Sequence, residues 1–361
     1  MLILDSHCDT PSQLNRLRNP GIDNIRGHVD FPKLRRGKVD VSFFAAYIPG
    51  NMPQKEALVY ADKLITLTEN AVQSNRGYAR MAYSVPQVID NKAEGLISIM
   101  LGLENASPIG TSLDLVQHFY DRGVRYITLC HSRNNDVCDS CTHLPLDAQW
   151  GGLSPFGKEL VKEMNRLGIL IDVSHISDES FYDVLACSKA PIVATHSCCR
   201  ALSNHPRNMT DEMIRDLAAQ GGVIQINFYP VFLDATWGER EDVAQLMDAY
   251  DSAEERFIAD PSNPNFIAQL DLAYQALLQL DRPSYKKVVD HIDHAVQIAG
   301  IDHVGIGSDF DGICVPPEGL EDVSSIGIIF DEMRLRGYSE EDISKIAGQN
   351  FLRALESAKI A

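Results

Sequence analysis

His7 and Asp9 follow the apolar run Leu2, Ile3 and Leu4 in the stretch LILDSHCDTP. In an extended backbone, residues two apart lie on one face, so both side chains can reach a single metal ion. The pattern then repeats. Apolar runs of strand character end in Glu104 (LISIMLGLE), His131 (VRYITLCH), His175 (ILIDVSH), His196 (PIVATH) and Asp309 (HVGIGSD). A strand-end histidine taken singly reads as a hydrogen-bonded structural residue, but recurrence at the same point of successive runs makes a set. The candidate metal ligands are therefore His7, Asp9, Glu104, His175, His196 and Asp309. Imidazole nitrogens together with carboxylate oxygens suit Zn2+. Two such ions held close together need a shared ligand, and Glu104 is the candidate bridge because a carboxylate can give one oxygen to each.

Two zinc ions per chain would bring a bridging water towards ionisation at neutral pH and polarise a substrate carbonyl. The chemistry to expect is hydrolysis by that hydroxide, with Glu104 in the catalytic set. Asp309 is suited to accept its proton and pass it to the leaving amine, and His131 to donate to the developing oxyanion.

These residues need a frame that gathers strand ends. Strand-like runs are expected at residues 2–4, 39–47, 95–103, 124–130, 169–173, 191–195, 222–228 and 303–308. Helical patterns fall between and after them, at residues 54–73, 112–122, 155–167, 178–187, 211–220, 284–299, 321–336 and 339–357. Thr210 reads as an N-cap, Gly300 as a C-cap, and Ser339 with Asp342 as a capping box. Strands alternating with helices, and no GxGxxG after the first, argue for an α/β fold of the (β/α)8 TIM-barrel type over a doubly wound sheet. Such a barrel has its active site at the C-terminal strand ends, where the named residues would meet. Residues 1–361 read as one domain, with a helical excursion at about 231–282. That excursion is expected either to cap the seventh strand's side or only to cover the barrel wall.

Composition excludes several partners. With 361 residues, 45% hydrophobic and 23% charged, the chain can bury a large core, and its formal net charge of −18 repels nucleic acid and anionic membrane surfaces. No apolar stretch reaches the length of a membrane span, and the N-terminus does not have the pattern of a secretory signal, so a cytoplasmic protein is expected. The cysteines lack the density of a disulfide scaffold and are expected to be reduced. Cys138 and Cys141 with His143 suggest a zinc knob, but no second CxxC completes its ligands. His118, His143, His205, His291, His294 and His303 end no strand and read as solvated surface.

The motifs DSHCDTP, LENAS, GVRYITLCH, GGLSPFGKELVKEMNRLGILIDVSH, ATHS, PRNMTDEM, INFY and GIGSDFDG, spread over nearly the whole chain, resemble the renal or membrane dipeptidases, zinc enzymes of the amidohydrolase-type barrels. The resemblance implies that His7 and Asp9 bind one zinc, His175 and His196 the other, and that Glu104 bridges them. It makes Asp309 the acid/base residue and His131 the stabiliser of the tetrahedral intermediate. Arg207 and Tyr229 become the holders of a dipeptide's free carboxylate, a role that a planar guanidinium fork suits. A homodimer also fits the resemblance. Two positions depart from it: Asn105 stands where glycine is common, and Cys130 where serine or threonine is expected. The leader and lipid-anchor tail of the secreted animal members are not expected either. The alternatives are an amidohydrolase acting on N-acyl amino acids or lactones, and an inactive metal-binding homologue.

Overall fold

The structure, a computed structural model, describes residues 1–142 and 148–359. Its strands are β1 (Leu4–Cys8), β2 (Val41–Tyr47), β3 (Ala79–Met81), β4 (Ile97–Glu104), β5 (Val124–Thr128), β6 (Leu170–Asp172), β7 (Ile192–Ser197), β8 (Val223–Ile226) and β9 (Val304–Ile306). All pairings are parallel in the order β1-β2-β4-β5-β6-β7-β8-β9, with β3 attached to β4 outside this path. The two ends of the path meet through the parallel bridge Cys8–Phe310 and the bonds Asp9 N to Phe310 O (2.9 Å) and Asp309 N to His7 O (3.0 Å). The expected TIM-like barrel is the observed one.

Strands covered on both faces must be apolar nearly throughout, and SFFA in β2 and SIMLGL in β4 are buried at every position. Leu4, Phe43, Met100, Tyr126, Leu170, Val193 and Val223 fill the barrel interior. Phe351, Leu352 and Leu355 of the helix Asn350–Glu356 plug its N-terminal end. A second, larger core lies between the strands and the outer helices. The helix Pro155–Leu167 shows how each outer helix is specified. Ser154 caps it by accepting from Gly157 N, proline opens it, and Gly168 at φ 80° ends it. Its face of Leu160, Val161, Met164 and Leu167 is buried.

Several expected boundaries shift. The first strand starts at Leu4, two residues late, because Leu2 and Ile3 pack before pairing begins. A short strand, β3, and the helix Val85–Ala93 precede β4. The helix expected at 321–336 begins only at Gly327, after a turn at Val323–Ser325. The one expected at 339–357 opens with the anticipated capping box but breaks at Lys345–Gln349. There a Cβ on Gly348 would come within 2.9 Å of Leu2 and Leu4 side chains, so the break lets the backbone press against β1.

In the excursion, the helices Glu241–Ala259 and Pro264–Leu278 pack on each other. Trp237, Val243 and Leu277 seat them on Val315, in the loop after β9. Among the described residues no helix is long and apolar enough to cross a membrane.

Candidate active site and metal centre

All the strand-end residues converge. Glu104, the last residue of β4 and only 2% exposed, stands at the centre. Its Oε2 lies 3.6 Å from His7 Nε2, while its Oε1 lies 3.1 Å from His175 Nε2, 3.5 Å from His196 Nε2 and 3.7 Å from His131 Nε2. On the other side of His7 Nε2 are Asp9 Oδ2 at 3.7 Å and Asp309 Oδ1 at 4.0 Å. Three groups of atoms are close enough to hold an ion: His7, Glu104 and His196; Glu104, His131 and His175; His7, Asp9 and Asp309.

The backbone is bent to achieve this. The register of β1 slips between Asp5 and Cys8, which re-aims His7. Asp9 is not extended, as a continuing strand would require, but caps the helix Thr10–Asn15 at φ −93°, ψ 26°. His175 (φ 74°), Asp309 (φ 62°) and Asn105 (φ 79°) adopt left-handed conformations that non-glycine residues rarely take and that concentrate at functional sites. This accounts for Asn105 where glycine is common: asparagine tolerates positive φ. Its side chain also donates to Ile48 O (2.9 Å) and accepts from Asn135 Nδ2 (3.0 Å).

A second layer orients the ring nitrogens. Asp172, at the end of β6, accepts from Thr128 Oγ1 (2.5 Å), Thr195 Oγ1 (2.7 Å), Thr195 N (2.8 Å) and Ser174 N (3.0 Å). With its proton committed to Asp172, Thr195 Oγ1 accepts from His196 Nδ1 at 2.8 Å. His196 Nε2 is then a lone pair facing the cluster. His7 Nδ1 meets Tyr126 OH at 2.8 Å. Tyr126 fits because residue 102 is glycine, where a Cβ would lie 2.1 Å from the phenol ring. Asp5 accepts from Ser308 N (2.8 Å) and Oγ (2.6 Å), tying β1 to the loop that bears Asp309. Asn227, just past β8, donates to Asp309 Oδ2 at 2.9 Å and accepts from Tyr229 N at 2.6 Å.

The cluster suits metal ions. His7 Nε2, Asp9 Oδ1 and Glu104 Oε2 are buried and have no hydrogen-bond partner, and His175 Nε2 faces His196 Nε2 at 2.8 Å. Ring nitrogens and carboxylate oxygens that converge in a buried site, several of them without a hydrogen-bond partner, are what a cation satisfies. Burial and neighbouring charges shift the ionisable groups of the cluster. Burial, with Asp9 beside it, pushes Glu104 up to about 8, and burial raises Asp309 and Asp5 to about 6. Burial lowers His175 and His196 well below the ordinary range and, with Arg207 nearby, His131 to about 3. Burial also opposes a charge on His7, but the Glu104 and Asp9 carboxylates raise its pKa well above the ordinary range.

These shifts fix a pH dependence for the metal-free protein. Groups raised on folding stabilise it below their unfolded pKa and lose that contribution as pH rises through the folded value. Groups lowered on folding, the histidines, take up protons in the unfolded chain near the ordinary value, so their opposing term has faded only above about pH 7.5. Between about pH 7.5 and 8.5 the raised set, led by Glu104 and His7, governs the change. Chelator-treated protein is therefore expected to melt at lower temperature at pH 8.5 than at pH 7.5, and to lose this dependence when metal is restored. A melting temperature that is flat or rising over that interval without metal would contradict the assignment.

A cavity of about 440 Å3 opens over the cluster. Its wall includes Asp9, Glu104, His131, His175 and Asp309, together with Arg207, Tyr229 and His205. Met247, Tyr250, Asp251 and Glu254 of the excursion also line it. Arg207 is 4% exposed, donates through Nη2 to His196 O (3.1 Å), and packs over Phe232 with Nε and Nη1 unpartnered. Tyr229 is poised beside it, its hydroxyl near only the sulfurs of Cys314 (3.7 Å) and Met247 (3.9 Å).

The other histidines divide differently from the sequence reading. His205 is in the cavity wall, not on open surface. The Arg207 amide donates to its Nδ1 at 3.2 Å, which leaves the ring proton on Nε2. His291 is buried, accepting from Cys199 N at Nδ1 (3.0 Å) and paired through Nε2 with Leu233 O (3.1 Å). Amphipathic helical spacing concealed it, since His291 falls on the buried face of Tyr285–Ala299. His118 and His294 pair with Asp62 and Asp211, and His303 with Gly222 O. His143 lies outside the described residues. All eight cysteines carry free thiols, Cys8 is buried as packing, and no metal-capable group among the described residues contains a cysteine.

Asp5, Asp172 and Asn227 were not singled out from sequence. Two of them had a signal: a carboxylate inside an apolar strand, LILDSH and LIDVSH, needs a buried partner.

The chain has clear relatives among known proteins. The family model described as membrane dipeptidase (peptidase family M19) matches residues 1–361. A dipeptidase of Clonostachys rogersoniana, verJ, is 32% identical over 99% of this chain and 84% of its own. The crystal structure of the probable dipeptidase PvdM from Pseudomonas aeruginosa is similar with a TM-score of 0.83, at 31% identity over 99% of this chain and 96% of that one. A metallopeptidase from Rhodobacter sphaeroides, liganded with a phosphinate mimic of the dipeptide L-Ala-D-Ala, has a TM-score of 0.79 at 26% identity, covering 99% of each chain. A match over residues 1–361, on a barrel whose strand ends gather buried histidines and carboxylates, makes this chain a dipeptidase of the membrane dipeptidase family, the M19 metallopeptidases.

Proposed function

We propose that the protein hydrolyses dipeptides bearing a free C-terminal carboxylate, using two zinc ions held by His7 and Asp9 on one side, His175 and His196 on the other, and Glu104 between them. The observation that carries the carboxylate requirement is Arg207: a buried guanidinium with two unpartnered N–H groups in the wall of the cavity that contains Glu104. An unpaired buried cation calls for an anionic ligand. Tyr229 and the Nε2–H of His205 stand in the same wall and can add neutral hydrogen bonds. The dipeptide mimic bound to the Rhodobacter sphaeroides relative supports the same substrate class.

When bound, zinc supplies a water of lowered pKa and polarises the scissile carbonyl. The chain's residues do the rest. Asp309, oriented by Asn227 and raised towards neutrality by burial, takes the proton of the attacking water and returns it to the leaving amine. His131 is the most exposed imidazole of the cluster, at 23%, and burial keeps it neutral. It donates to the oxygen that becomes negative at the tetrahedral stage. Its distance from Glu104 is nearly that of His7, so the oxyanion role rests on exposure and on the resemblance.

Arg207→Met tests the carboxylate reading. Losing charge-assisted bonds is expected to raise KM for free dipeptides by about 10- to 100-fold, with part of the loss in kcat if the clamp also aligns the scissile bond. A C-terminally amidated dipeptide should be poor for the wild type and lose little more in the variant. Equal losses on free and amidated substrates would assign Arg207 to the fold instead. N-acyl amino acids present the same carboxylate beside an amide and belong in the panel, whereas lactones offer Arg207 nothing to bind.

A further inference from the structure

The two sides of the cavity are chemically distinct. Arg207 borders the side of His196, whose carbonyl it holds, and packs on Phe232. Arg16 enters with the segment that begins at Asp9: it ends the helix Thr10–Asn15 and donates through Nη1 to Glu254 Oε1 at 2.7 Å. Both members of this ion pair line the cavity, and their side chains are 18% and 29% exposed. Glu254 belongs to the excursion helix Glu241–Ala259, so the pair joins the barrel rim to the excursion across the cavity wall.

Arg207 lies in the loop after β7 and Asp9 with Arg16 just after β1, three strands further round the barrel, so a substrate whose carboxylate sits on Arg207 has the Asp9 and Arg16 wall of the cavity open to its amino end. We propose that the Arg16–Glu254 ion pair sets substrate length, closing the amino-end side of the cavity so that dipeptides fit and peptides with one more N-terminal residue do not. This rests on the carboxylate reading of Arg207. An added residue would have to separate two charges paired at 2.7 Å and expose each unpaired beside the peptide. The excursion thereby contributes to substrate selection while supplying no metal ligand.

The test compares kcat/KM for a good dipeptide and for the same dipeptide extended by an N-terminal glycine. It uses the zinc-loaded wild type, Arg16→Ala, Glu254→Ala and the swapped double variant Arg16→Glu/Glu254→Arg. Neither Arg16 nor Glu254 belongs to an apolar core, so the variants are expected to fold. The tripeptide-to-dipeptide ratio should rise about tenfold or more in each single variant and fall back in the swap. Hydrogen exchange across residues 241–259 should quicken in the single variants and recover in the swap. A ratio unchanged in both single variants, with dipeptides still cleaved, overturns the length-setting role. Absence of any dipeptide cleavage by the wild type would instead overturn the proposed function. In that case unchanged exchange in the single variants would also overturn closure by the pair.

Discussion

Asp309→Asn is expected to lower kcat by about 10²-fold or more while the protein keeps its metal. The substitution is nearly isosteric, and the site can accept it. Asparagine tolerates the left-handed backbone at φ 62°, and its amide oxygen can still accept from Asn227 Nδ2, which now lies 2.9 Å from Oδ2. What disappears is the group able to take up a proton near neutral pH. Kinetics with metal analysis on the same preparation separate the cases. Near-wild-type turnover at full occupancy would remove Asp309 from the mechanism, and loss of metal in parallel with activity would make it a ligand.

The largest effect is expected for Glu104→Gln. The two oxygens of Glu104 face different groups, Oε2 towards His7 and Oε1 towards His175 and His196. An amide cannot bridge two cations, because one of its heavy atoms is a donor. Zinc content should fall for both sites together, and kcat/KM by about 10³-fold or more, since metal ions supply several kcal/mol of charge stabilisation. Loss of only one metal with most activity retained would show that the sites are independent.

Much of this arrangement could be read from residue order, for a physical reason. A parallel barrel puts every strand's C-terminal end on one face, so an apolar run followed by a ligand-type residue is a local signal of a shared location. Glu104 and His196 end or lie within strands and His175 and Asp309 lie just beyond them, as that rule requires. Asp9 reached the cluster by a different route, through a helix N-terminus after a slipped strand register, which no periodicity reports. The supporting groups were hidden because their partners are distant in sequence. Asp5 meets Ser308 across 303 positions, and Asp172 meets Thr195 across 23. Strand β3 is three residues long with Arg80 exposed at its middle, too short to show alternation. His205 passed for surface because its tautomer and its place in the wall depend on a backbone amide two residues ahead, in a turn.

Titrating metal-free protein with zinc while following hydrolysis of a free dipeptide tests the central claim most directly. Activity is expected to climb to a plateau at about two equivalents per chain, as the proposed arrangement of two ligand sets sharing Glu104 requires. A plateau at one equivalent with full activity would contradict the paired site, and no hydrolysis of any free dipeptide at saturation would contradict the function itself.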